Sequence, residues 1–185
     1  MQSRPPSISI SPDYKHVALL HRSGMPTIAD LASEELRIAG LRIDPAVNGP
    51  SRSSYNIGIS VMDITGNNER RVKGLPGEPR IGSFSWSEDG LMAAFVNVTE
   101  NSIDLWVLDV ATMEAKMIAS GLNMVFRGSF DWMPDNKSIL FRVVDQGRGA
   151  RPVAGNKPEG PVLQENTGKR GAAATFQGPA EEFTG

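Results

Sequence analysis

The sequence predicts an all-β fold, a partial β-propeller of about two and a half four-stranded antiparallel blades. A strand–turn–strand motif occurs three times, in "SISISPDYKHVALL" (7–20), "SFSWSEDGLMAAFV" (83–96) and "SFDWMPDNKSILFR" (129–142). The last two turn aspartates, Asp89 and Asp135, lie 46 residues apart, close to the roughly 40–50 residues of a propeller blade. A small β-sandwich or meander with similar turns is the alternative, and the matched turns argue against it.

Each copy of the motif has the chemistry of a β-hairpin. Phe84 and Trp86 alternate with serines, which is the period of two expected of a half-buried strand. The turns "SPDY", "SEDG" and "MPDN" contain Asp followed, in two of three cases, by Gly or Asn, which tolerate positive φ. We expect three aromatic residues in alternating apolar strands to be buried between sheets: Trp86, Trp106 and Trp132.

The strand-like runs assemble into blades by number and length. After the second turn, "LMAAFVNV", "DLWVLDV" and "AKMIAS" complete a four-stranded blade within about 40 residues. The first copy continues in "NIGISVMDI" and "ERRVKGL" after an interruption, and the third copy has only two strands. Closed propellers have about four to eight blades, so the chain is expected to form part of one.

The interruption, residues 24–54, is predicted to contain one short helix followed by a loop. Thr27 is a candidate N-cap with Asp30 three residues later, and Gly40 could end the helix. A partial apolar stripe is formed by Leu31, Leu36 and Ile38. The sequence therefore predicts an incomplete propeller domain over residues 1–144, with this insertion, and a Gly/Pro-rich loop or linker over residues 145–185.

Composition argues against two classes of partner. The net charge is −2, from 19 basic and 21 acidic residues without a Lys/Arg block, so no nucleic-acid partner is predicted. The longest apolar run, from Leu91 to Val96, is far shorter than the roughly 20 residues of a membrane span, and no membrane partner is predicted. The chain has no cysteine, and its first residues contain no apolar signal-peptide core.

No complete catalytic, metal or cofactor site is predicted. A G-x-S-x-G nucleophile motif is absent, and the metal-binding spacings of known motifs are absent as well. His16 and His21 are interpreted as surface or edge histidines. The adjacent carboxylates Glu34 and Glu35 are interpreted as solvated side chains that diverge on the predicted helix.

Three arginines in the insertion form the one candidate binding site: Arg37, Arg42 and Arg52. Guanidinium groups bind carboxylates through two parallel hydrogen bonds, so these side chains could hold an acidic group if they converge. Scattered surface charges are the alternative. Arg42 follows the predicted helix and Arg52 lies in the "GPSRSS" loop, and these two are favoured because loops often display functional side chains.

From about Ser7 to Gln177 the sequence resembles the N-terminal propeller of the prolyl oligopeptidase family of serine peptidases, in its glutamyl-endopeptidase-like branch. The most specific segment is "ELRIAGLRIDPAVNGPSRSSYNIGISV". The segments "IDLWVLDVATMEAK", "FDWMPDNKSIL" and "GPVLQENTGKRGAAATFQ" support the same resemblance, whereas "GPAEEFTG" departs from it.

The resemblance implies a propeller that limits the access of peptides to a C-terminal α/β-hydrolase domain, which this chain does not contain. It implies that domain and a peptide substrate as partners, and for the longer parent a periplasmic, secreted or organellar location. Cleavage after glutamate would need a cationic group, a role for the three arginines. A free-standing propeller-type interaction module or periplasmic scaffold is the alternative function.

Overall fold

The computed structural model of the chain describes residues 5–22, 33–38, 40–126, 130–145 and 147–149, and within these ranges it contains strands and no helix. Contacts between residues divide the chain into two units, Met1–Gly147 and Arg148–Gly185, and every described strand belongs to the first. In the described part of the chain, no helix has the length and hydropathy required to cross a membrane. The boundary at residue 144 and the tail over 145–185 stay predictions, because residues 150–185 lie outside the described ranges.

The described strands form three antiparallel blades in chain order. Blade 1 contains β1 (Ser7–Ile10), β2 (His16–Arg22), β6 (Asn56–Asp63) and β7 (Arg70–Arg71). Blade 2 contains β8 (Ile81–Trp86), β9 (Met92–Val98), β10 (Ile103–Asp109) and β11 (Glu114–Ala119). The described part of blade 3 is the hairpin of β12 (Phe130–Trp132) and β13 (Ile139–Phe141). The predicted all-β partial propeller is confirmed, and blades 1 and 2 each have four strands.

Blade 2 is buried on both faces because alternate side chains of its strands enter two different cores. Ala93 and Phe95 of β9 pack with residues of blade 1, including Ala18. Ala94 and Val96 of the same strand pack in a second core with residues of blade 3. The second core contains, from blade 3, Phe130, Trp132, Ile139 and Phe141. This stacking of sheets is the packing expected of successive propeller blades.

The three predicted turns share one geometry. In the first, the Ser11 hydroxyl donates to Asp13 Oδ1 at 2.6 Å, and in the second, the Ser87 hydroxyl donates to Asp89 Oδ1 at 2.7 Å. The residue after each aspartate has a positive φ: 59° at Tyr14, 70° at Gly90 and 56° at Asn136. The turn thus requires a left-handed backbone at the position after the aspartate, even in the first turn, where that residue is a tyrosine.

Neighbouring blades are joined by a repeated hydrogen bond between their first strands. The indole Nε1 of Trp86 donates to Ser9 Oγ at 3.1 Å, and Nε1 of Trp132 donates to the carbonyl oxygen of Ser85 at 3.2 Å. Both tryptophans lie three residues before a turn aspartate, and both serines lie four residues before one. Burial is confirmed for Trp86, which is 8% exposed, whereas Trp106 and Trp132 are only half-buried.

The predicted helix in the insertion is wrong over its described residues. These form a three-stranded antiparallel sheet: β3 (Leu36–Ile38), β4 (Leu41–Asp44) and β5 (Gly49–Pro50). Gly40 has a φ of 80° in the turn between β3 and β4. A hairpin turn and a helix C-terminus both favour a glycine with positive φ. Gly40 in the sequence therefore does not distinguish a hairpin from the end of a helix. The proposed N-cap Thr27, with Asp30 and Leu31, lies outside the described residues.

Replacing Gly90 with alanine is expected to destabilise the chain more than replacing Gly66. Both glycines have positive φ, 70° and 84°, so each alanine incurs about 1–2 kcal/mol of left-handed strain. A Cβ at Gly90 would also collide with the Asp13 carboxylate of blade 1, whereas one at Gly66 would meet nothing within 4 Å. Denaturant titrations of both variants measure the difference, and equal losses would contradict the contact between the turns of blades 1 and 2.

Candidate functional site

The three candidate arginines converge on one carboxylate, that of Glu35. Arg42 approaches it with two nitrogens, Nε to Oε2 at 2.9 Å and Nη2 to Oε1 at 2.9 Å. Arg37 Nε donates to Oε1 at 3.0 Å, and Arg52 Nε lies 3.5 Å from Oε2. The Ser51 hydroxyl also donates to Oε2, at 2.6 Å. We call these five residues the Glu35 cluster.

Strand register and one turn bring the cluster together. Arg37 of β3 lies directly opposite Arg42 of β4, an arrangement of like charges that is unfavourable unless an anion lies between them. After β5 the chain turns back, the Ser51 N–H donates to the Arg42 carbonyl at 3.0 Å, and Arg52 has a φ of 53°. Glu35, immediately before β3, therefore lies between all three guanidinium groups.

The environment of Glu35 keeps it ionised. The Arg42 guanidinium, followed by the Ser51 hydroxyl, lowers the pKa of Glu35 from 4.5 to about 2. Its side chain is only 10% exposed, which corrects the interpretation of Glu35 as a solvated helical residue. The arginine side chains are 48–73% exposed. With three cations around one anion, the cluster presents excess positive charge to solvent.

Replacing Glu35 with glutamine is expected to weaken the dependence of stability on pH in acid. Because the folded pKa of Glu35 lies below its ordinary value, its contribution to stability is present above about pH 4.5 and is lost as the pH falls towards 2. The free energy of unfolding, measured at pH steps from 6 to 2, should fall less steeply in Glu35→Gln than in the unaltered chain. Ser51→Ala should change the slope in the same direction by less, and unchanged slopes in both variants would contradict the cluster.

A small cavity adjoins the turn that carries Ser51 and Arg52. Its volume is about 170 Å³, and it is lined by Pro50 of β5 and by Ser53, which follows the turn. Apolar walls come from Val47 of the insertion and from Val96 of β9. The cavity is large enough for a group the size of benzene, since an apolar cavity of about 150 Å³ binds benzene.

Sequence reasoning missed a serine–histidine contact between β2 and β6. His21 Nε2 lies 2.8 Å from Ser60 Oγ, and the Ser60 hydroxyl donates to Glu69 Oε1 at 2.7 Å. Since its proton points to Glu69, the hydroxyl accepts from His21 and cannot pass that proton to the imidazole. Ser60 is also fully buried, so the arrangement lacks the geometry of a nucleophile and its base. Among the described residues, no group of three or more His, Cys, Asp or Glu side chains could hold a metal ion.

Comparison with known proteins finds two similar curated proteins. No protein-family model matches the chain. It is 35% identical over 175 residues, 87% of its length, to a protein named probable glutamyl endopeptidase, chloroplastic, of Oryza sativa subsp. japonica. It is 33% identical over 177 residues, 89% of its length, to the protein of the same name in Arabidopsis thaliana. The chain spans 18% of the length of each of these curated relatives.

Two solved structures resemble the chain more distantly. One is an acylaminoacyl peptidase of Pyrococcus horikoshii, with 13% identity and a TM-score of 0.44 over 75% of this chain and 17% of that one. The other is the β-propeller domain of the Trilobed protease of Pyrococcus furiosus, with 17% identity and a TM-score of 0.43 over 75% of this chain and 34% of that one. The blade assignment stands on the strand pairing and packing described above.

Proposed function

From the premise that this chain is homologous to part of the glutamyl-endopeptidase-like branch of the prolyl oligopeptidase family, we propose that it contacts acidic peptides through the Glu35 cluster. In this role it is the propeller part of a peptidase and cuts no bond itself. The observation that carries the proposal is the convergence of three guanidinium groups from separate strands and a turn on one point of the surface.

The arginines of the Glu35 cluster differ in how they contact Glu35. Arg42 contacts both oxygens of Glu35 through two nitrogens, Nε and Nη2, so it holds the cluster together. Arg37 and Arg52 each approach Glu35 through Nε. We assign their terminal nitrogens as the donors to a second carboxylate, such as a glutamate side chain of a peptide. The cavity beside Pro50 and Ser53 could receive a neighbouring apolar side chain of the same peptide.

The turns of successive blades lie side by side, and we assign them a role in limiting the access of peptides to a hydrolase domain. Successive turns touch: a Cβ on Gly90 would meet the Asp13 carboxylate, and the Glu88 N–H donates to Asn136 Oδ1 at 2.9 Å. Ser138 and neighbouring backbone N–H groups lower the pKa of Asp135 to about 2, and the Ser11 and Ser87 hydroxyls lower the pKa values of Asp13 and Asp89. These turns form a continuous edge that carries the carboxylates of Asp13, Asp89 and Asp135 and, beside the first and the last of them, Lys15 and Lys137. This edge is the surface we assign to contact with the catalytic domain.

The isolated chain is expected not to hydrolyse peptides or esters, because the buried hydroxyl of Ser60 donates to a carboxylate instead of to an imidazole. Purified chain is incubated with glutamyl p-nitroanilide peptides, with and without a serine-directed phosphonate, beside a Ser60→Ala variant. Turnover that the phosphonate inhibits and Ser60→Ala abolishes would show catalysis by this chain and contradict the proposed role.

A further inference from the structure

The cavity beside the Glu35 cluster is formed by the interior of the chain. Its described lining residues all lie between Val47 and Met124. They come from the insertion, from β8, β9 and β10, and from the segment that precedes blade 3. The walls described here therefore belong to parts of the chain that are already packed together.

The insertion is fixed to blade 2 at this cavity. Val47 is buried in the core that blades 2 and 3 share. Gly49 of β5 packs so closely on β10 that a Cβ there would collide with the Ile103 side chain. The turn after β5, which carries Ser51 and Arg52, thus has a fixed position relative to the cavity.

One wall of the cavity departs from regular strand pairing. The register between β8 and β9 shifts between Ile81 and Phe84, and the two residues at the shift, Gly82 and Ser83, both line the cavity. A Cβ on Gly82 would lie 3.0 Å from Val96 Cγ2 of the neighbouring strand. Irregular pairing is common next to active sites, and a glycine inside a strand is common where a ligand approaches the backbone closely. Both features indicate a ligand contact at this wall.

The chemistry of the walls favours an uncharged aromatic occupant. Tyr55 contributes a ring to the lining, and the Arg80 guanidinium lies 4.8 Å from the centroid of that ring. Pairs of aromatic rings attract each other by more than the burial of their area. None of the described lining residues is charged, so the charge of a ligand would be bound at the Glu35 cluster and its apolar part in the cavity.

We propose that the cavity binds an aromatic side chain of the acidic peptide, two residues away from the glutamate that contacts the Glu35 cluster. Pro50 and Ser53 line the cavity, and Ser51 and Arg52 between them belong to the cluster. In an extended peptide the side chains of residues i and i+2 point to the same side, so one peptide can occupy both sites. The inference rests on the proposed function and adds a second specificity to it.

Isothermal titration calorimetry of the full 185-residue chain with three peptides tests the proposal. The first peptide has a central glutamate with phenylalanine two residues away on each side. The second has alanine in place of phenylalanine, and the third has glutamine in place of glutamate. We expect the alanine peptide to bind about tenfold or more weakly than the first. Equal affinity for the first and second peptides would overturn the proposal, whereas equal affinity for the first and third would contradict the proposed function.

Two variants test whether the phenylalanine binds in the cavity. Ser83 lines the cavity and is exposed, so Ser83→Leu should fill the site and abolish the preference for phenylalanine over alanine. Tyr55→Leu keeps an apolar wall without the ring and should reduce the preference. Thr112→Leu, at an exposed residue between β10 and β11, is the control and should retain it. An unchanged preference in Ser83→Leu would overturn the proposal, because the phenylalanine would then bind elsewhere.

Benzene tests the cavity without the peptide. It should raise the Tm of the unaltered chain and of Arg52→Met, because it carries no charge, and it should not raise the Tm of Ser83→Leu. No change in the Tm of the unaltered chain would overturn aromatic binding in the cavity and would not bear on the Glu35 cluster. A rise in Tm with benzene, without binding of any of the three peptides, would overturn the peptide as the occupant.

Discussion

Trp86→Ala is expected to lower the free energy of unfolding by about 3–5 kcal/mol. Trp86 is 8% exposed in the core between blades 1 and 2, and its ring meets Phe84 edge to face with centroids 5.3 Å apart. The substitution also removes the donor to Ser9 Oγ of blade 1. Equilibrium denaturant titration measures the loss.

Two further variants separate the contributions of burial and of the hydrogen bond. Trp86→Phe keeps an aromatic ring and loses the hydrogen-bond donor. It should lower the free energy of unfolding by less than Trp86→Ala does, and about 1 kcal/mol of that loss comes from the hydrogen bond. Trp132→Ala should cost less than Trp86→Ala because Trp132 is half-buried. A loss below 1 kcal/mol for Trp86→Ala would argue against packing between blades 1 and 2.

Arg52→Met is expected to reduce kcat/KM selectively for glutamate-containing peptides, in a longer peptidase that carries this segment. Losing a hydrogen bond to a charged group costs about 1.5–3 kcal/mol, which corresponds to roughly ten- to hundredfold in kcat/KM. Peptides with glutamine at the same position lack the charge and should change much less. Arg42→Met should reduce both activity and stability, because Arg42 holds Glu35 through two nitrogens.

The strands of the blades could be predicted because their signals are local. Alternation in "SFSWS" and the Ser-x-Asp turn specify a hairpin within about a dozen residues, and the structure has both. The bond from Trp86 to Ser9 spans 77 positions, and only the alignment of the repeated motifs in space reveals it. Half-burial of Trp132 likewise depends on how blade 3 is packed, which the alternation within its own strand does not determine.

The helix predicted in the insertion is wrong because the strands there are too short to show a period. β3 has three residues and β5 has two, so alternation cannot be distinguished from a helical stripe, and Gly40 suits either structure. On the predicted helix, Glu35 would lie on a solvated face. In the structure Glu35 precedes a strand whose register sets Arg37 opposite Arg42.

The sequence alone does not determine whether the three arginines converge. Ser51 and Arg52 reach Glu35 across 16 and 17 positions of chain, through the turn after β5. The contact of His21 with Ser60 is hidden in the same way, because the insertion separates β2 from its neighbour β6. Pairings of this kind follow from three-dimensional register, which no spacing rule along the chain provides.

The ratio of kcat/KM for matched peptides with glutamate and glutamine at the cleaved position tests most directly whether the Glu35 cluster contacts acidic peptides. It is measured in the longer peptidase for the unaltered protein, for Arg52→Met and for Arg71→Met, a control at an exposed arginine of β7. We expect the ratio to fall about tenfold or more in Arg52→Met and to stay unchanged in Arg71→Met. Equal losses on both peptides in Arg52→Met, or an unchanged ratio, would contradict a role of this cluster in recognising acidic peptides.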